Sequence, residues 1–132
     1  MAVVSPIYDY VDTHGTNVIK AWLDQQQYKA KAKLNTRLST LEQINRPDWA
    51  KLNVEVLKGD KDGLIAVKVL YQGIQYRLIG YDGPNRGEFT LLACGVERNN
   101  KYIPLNIGRQ SFARIAEVTA DPAGRMIRHD FR

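Results

Sequence analysis

Cysteine is nearly missing from this chain of 132 residues: Cys94 stands alone, which excludes an internal disulfide and any metal site built from several thiolates. Its flanks, Thr-Leu-Leu-Ala before and Gly-Val-Glu after, read as a buried strand, so an inert core thiol is expected rather than a nucleophile. Histidine is nearly as scarce, with two residues. His14 and His129 lie far apart with no ligand spacing around them, and neither a zinc or iron site nor any other cofactor is expected. No apolar run approaches the ~18 residues of a membrane span. The N-terminal stretch MAVVSPIYDYV lacks a basic segment and a long apolar core and carries Pro6, so it does not read as a signal peptide. A cytoplasmic protein without a membrane partner is the expectation. Internal repeats and low-complexity segments are missing too.

What remains is an ordinary globular composition, 44% hydrophobic and 25% charged. The length fits one domain over residues 1–132, able to bury roughly two-thirds of its surface. The net charge of +5 is compatible with RNA, with an acidic protein partner, or with neither.

The pattern along the chain predicts an α+β fold. Val3 to Val11 reads as a first strand, with Pro6 pointing to an edge or a bulge. Asp12-Thr13-His14-Gly15 breaks it, and Thr16 or Asn17 can cap a helix. From Val18 to about Ile44 the period is helical: Ile19, Trp22 and Leu23 share one face, and Leu34, Leu38, Leu41 and Ile44 share another. The polar stretch Asp24 to Tyr28 suggests a hinge between two helices, one long helix being the alternative. Lys29, Lys31, Lys33 and Arg37 give the second helix a basic solvent side. Leu52 to Lys58 is ambiguous between a short strand and a loop.

Gly63 to Tyr102 reads as an antiparallel meander, with reversals at Gln72-Gly73 and at Asp82 to Gly87. Its last run, Phe89 to Val96, is apolar enough for a central strand. A helix follows over about 105–119. Within the meander Lys68 and Arg77 sit inside apolar runs, and Arg98, Lys101 and Tyr102 cluster after the last one. Long basic side chains snorkel off strands at modest cost; a sheet face carrying cations for an anionic ligand is the sharper reading.

Leu57-Lys58-Gly59, Gly63-Leu64, Gly73-Ile-Gln-Tyr76-Arg77-Leu78, Thr90-Leu91-Leu92, Gly95 and Tyr102-Ile103-Pro104 follow in an order that resembles the RelE/ParE toxin superfamily, nearest to its HigB-type and phage-derived branch. The resemblance covers roughly residues 52 to 118 through short, degenerate words. It implies a N-terminal strand and helical pair packed on a β-meander with a C-terminal helix. It further implies the toxin of a toxin–antitoxin pair, a metal-independent endonuclease that cuts mRNA on the ribosome and is neutralised by a small helix-turn-helix antitoxin. A non-enzymatic binding protein on the same fold, such as a gyrase inhibitor or an RNA-binding module, is the alternative. By position it assigns catalytic work to Arg77, Arg98, Tyr102 and Lys68. Lys101, Arg86, Lys58 and His129 are the candidates for RNA contact. Two departures stand out: Ala66 and Lys68 replace a glutamate and an arginine, and Glu97-Arg98 replaces a pair of lysines.

Cleavage of RNA through its own 2′-OH needs a proton acceptor, a donor for the leaving oxygen, and cations around the phosphorane. Arg77 and Arg98 suit the last task. The base is the gap. Tyr and Lys ordinarily titrate at about 10 and 10.4, so Tyr102 or Lys68 would serve only if neighbouring cations lowered them. His129 has the right intrinsic pKa, but the sequence does not place it near Arg77. Each residue also has a plainer explanation: Arg77 paired with Glu88 or Glu97, Lys68 solvated, Tyr102 closing a loop onto the core, and Arg86 merely exposed.

Overall fold

A computed structural model describes residues 3–132; Met1 and Ala2, part of the N-terminal stretch read above, lie outside it. Strand β1 (Ile7–Tyr10) is followed by helices α1 (Val18–Asp24) and α2 (Tyr28–Glu42). Asn17 caps α1, its side-chain oxygen accepting from the Lys20 amide at 2.9 Å. Two helices form, with the break at Gln25 to Gln27. A 3₁₀ segment, Arg46–Leu52, then leads into β2 (Val54–Val56), which resolves the ambiguous stretch as a short strand. A second 3₁₀ turn, Gly59–Lys61, precedes β3 (Ile65–Tyr71), β4 (Ile74–Asp82), β5 (Phe89–Arg98) and β6 (Lys101–Ile103). The chain ends with α3 (Ile107–Ala120), the short α4 (Pro122–Arg125) and β7 (Met126–Arg128).

The fold is α+β, around a mixed sheet ordered β2-β3-β4-β5-β1-β7, with β6 also on β5. β3, β4 and β5 form the antiparallel meander. β5 is central because its two halves have different neighbours: Phe89 to Leu91 run parallel to β1, and Val96 to Arg98 pair with β6. The first strand is shorter than its composition suggests, and it is not an edge. β1 lies between β5 and β7, and Pro6 falls just ahead of the ladder, where its missing N–H costs no sheet bond. The residues before it are tied to the end of α2, where the Glu42 carbonyl accepts from the amides of Val4 and Ser5.

Strand alternation gives each sheet face its own core. Ile19, Leu23, Leu34, Leu38 and Leu41 from α1 and α2 pack with Trp49 against Val67, Val69, Tyr76, Leu78, Phe89 and Leu91. On the other face Ile107 and Val118 of α3 pack on Leu64, Ala66, Ile79 and Ala93. The basic side of α2 is only partly a solvated surface. Arg37 reaches the sheet edge and donates to the carbonyls of Leu52 (2.7 Å) and Lys68 (3.1 Å), and Lys33 donates to that of Leu70 (3.0 Å). Among the described residues no helix is long and apolar enough to cross a membrane.

Candidate functional site

Helix α3 covers only part of its sheet face. Beyond it the register lays out two polar rows: Lys68 opposite Arg77 opposite Gly95, then Gln75 opposite Glu97 opposite Tyr102. Cross-strand partners point to the same face, so Lys68, Arg77, Glu97 and Tyr102 are brought together. Lys68, Gln75 and Arg77 line an open groove of about 300 Å³ with Asn53 and Leu70.

Arg77 is the anchor. It is only 7% exposed, and its guanidinium donates to Glu97 Oε1 (2.9 Å), the Tyr76 carbonyl (2.9 Å) and Gln75 Oε1 (2.8 Å). A guanidinium carries about five N–H groups, so donors remain on a side chain whose plane is already fixed. Lys68 reaches Glu55 Oε1 at 3.3 Å and is more exposed than Arg77.

Tyr102 differs from expectation. Its pKa is raised, first by burial and then by the negative charge of Glu97, with Arg77 only partly offsetting them. A phenol in that setting keeps its proton and donates, which removes it as a base. Lys61 stands over its ring, with Nζ 5.5 Å from the centroid.

The remaining candidates are dispersed. Arg98 follows Glu97 on the same strand and therefore points to the opposite face, where it opposes Lys101 across the tight turn at Asn99 and Asn100. Arg77 and Arg98 thus do not form the shared phosphate grip expected of them. Lys58 is exposed before the second 3₁₀ turn, and Arg86 is exposed in the loop between β4 and β5. His129 is not available to RNA. Its side chain and that of Asp9 are both 0% exposed; Nδ1 lies 2.7 Å from Asp9 Oδ1, and Nε2 lies 2.8 Å from Asn35 Oδ1. Asn17 holds the second Asp9 oxygen at 2.9 Å.

Cys94 packs against the first core, and burial pushes its thiol well above the ordinary range, which leaves it unreactive at neutral pH. Among the described residues no three His, Cys, Asp or Glu side chains converge as metal ligands.

The residue missed as a participant is Glu97. The sequence raised it only as a structural partner for Arg77 and as a departure from a pair of lysines. The available signal was parity: Glu97 and Tyr102 fall opposite each other once the hairpin turns at Asn99-Asn100, and Gln75 falls opposite Glu97. Comparison with known protein families, with characterised proteins and with solved structures finds no match for the chain.

Proposed function

We propose that the chain is a metal-independent endoribonuclease acting on mRNA at the ribosome, the toxin half of a toxin–antitoxin pair. The observation that supports this reading is the Glu97–Arg77 pair at 2.9 Å, set beside Tyr102 and Lys68 on an uncovered stretch of sheet. A carboxylate accepts a proton at neutral pH without first having to lose one, so Glu97 fills the role for which the sequence offered no base.

In this mechanism Glu97 takes the proton of the ribose 2′-OH as that oxygen attacks the adjacent phosphorus. The P–O5′ bond breaks, leaving a 2′,3′-cyclic phosphate on one fragment. The departing 5′-oxygen takes a proton from Tyr102, which regains one from solvent as Glu97 releases its own. Arg77 and Lys68 carry the charge of the phosphorane, where a preorganised donor contributes a few kcal/mol.

The test is cleavage of a defined mRNA by purified protein, free and on ribosomes, with both new ends identified. A cyclic phosphate and a 5′-OH are expected, and Glu97→Gln should slow the reaction by about 10²–10⁴-fold. No cut in either setting, or full activity in Glu97→Gln, would overturn the assignment. The burial of Arg77 favours a second reading, a non-enzymatic toxin-like binding protein. Its sign is growth arrest on expression with transcripts left whole.

A further inference from the structure

Beyond Tyr102 the same face continues into a second hollow, which the proposed chemistry does not use. It measures about 360 Å³ and lies between the Gly59–Lys61 turn and the start of α3, lined by Lys61, Leu105, Asn106, Arg109 and Phe112. Lys61 belongs to both places: its Nζ stands over the Tyr102 ring, while its stem packs on Gly108, where an added Cβ would meet Lys61 Cγ at 3.1 Å. The hollow therefore borders the Tyr102 ring of the site through one shared side chain.

Its walls combine two cations with exposed apolar surface, Phe112 at 39% and Leu105 at 76%. Asp60, the acid in the lining, is 90% exposed at its side chain and turned onto Lys61 at 3.5 Å. Arg109 is exposed and makes no ion pair among the described residues. Cations beside an open aromatic face are what one nucleotide of a single strand requires, a phosphate for the charges and a base for the ring.

We propose that this hollow is a second nucleotide subsite, in which Lys61 and Arg109 hold the phosphate next to the scissile one and Phe112 stacks on its base. The proposal rests on the ribonuclease reading for the identity of the ligand. Lys61, Arg109 and Phe112 are positioning residues: they fix the strand and take no part in proton transfer.

The experiment uses the full chain and a short mixed-sequence 2′-O-methyl oligoribonucleotide, which binds but lacks the nucleophile. Its Kd is measured against salt for the parent protein, Arg109→Ala and Phe112→Ala, and KM and kcat are measured separately on cleavable RNA. Arg109→Ala should flatten the slope of log Kd on log salt by about 0.7, the effect of one single-strand phosphate contact. Phe112→Ala should weaken binding about tenfold and raise KM with kcat nearly unchanged. If both variants bind like the parent, the subsite is wrong even where cleavage persists, and the face is left to a protein partner. If the parent cleaves nothing but the variants still lose the oligonucleotide, the ribonuclease reading falls, and the hollow stands as a single-strand RNA site with no scissile phosphate beside it.

Discussion

His129 and Arg77 are both charged or chargeable side chains enclosed by protein, and they are enclosed for different ends. His129 is sealed with Asp9 on the first face, with no route to solvent through either side chain. Arg77 is sealed on three sides and borders a groove on the fourth. A buried carboxylate that loses its partner keeps the full cost of its desolvation. His129→Ala should therefore lower the unfolding free energy by about 3–5 kcal/mol, read from denaturant melts, while leaving the sheet cluster chemically intact. From the sequence, His129 was a candidate for RNA contact with nothing to place it. Its burial depends on Asp9 and Asn35, which are remote in sequence, and no local pattern reports that.

At the scale of elements, the helix pair, the meander and the C-terminal helix were legible because each has a strong period or a turn word. Two of the three-residue strands, β6 and β7, were not. β6 and β7 are too short to show alternation, and each exists because a longer neighbour offers a free edge: β5 for β6, β1 for β7. The parallel pairing of β1 with β5 was equally invisible, since period alone does not choose a partner. β6 matters most for the site, because it carries Tyr102. It is held by Gly95, where an added Cβ would stand impossibly close to the Ile103 carbonyl as the chain crosses toward α3. Gly95→Ala should push β6 off β5, lowering cleavage about tenfold or more through misplacement of Tyr102 while circular dichroism stays near that of the parent. Equal activity would mean that Tyr102 does not need its present position. Arg98 misled for the related reason that clustering in sequence is not clustering on a strand, where neighbours face opposite ways.

At the scale of the molecule, the basic charge that first suggested an anionic partner is not spread as one patch. Lys68 and Arg77 lie on one face, Arg98 and Lys101 on the other, and Arg37 and Lys33 are spent on carbonyls at the sheet edge. Tyrosines show a more uniform behaviour. Tyr8, Tyr10, Tyr81 and Tyr102 all have raised pKa values, with burial the largest cause in each. The folded chain therefore keeps phenolic protons that the unfolded chain releases above about pH 10. The stability linked to these groups is complete below that pH and falls as pH rises through their folded values. Melting temperature should hold up to about pH 10 and then drop, with the tyrosinate signal of these four side chains appearing together with unfolding rather than before it. Ionisation of Tyr8, Tyr10, Tyr81 and Tyr102 in the still-folded protein before the drop in melting temperature would contradict their burial.

The position of β1 between β5 and β7 also sets an order of events during synthesis. The Asp9–His129 contact joins residues 120 positions apart, and β1 pairs on both sides only with strands made much later. A chain emerging from the ribosome would hold its first strand unpaired until β5 had appeared, and would close its buried polar centre only once β7 and His129 had followed. Contacts of such long range are slow to form. A nascent copy would thus keep its sheet incomplete until β7 had been made.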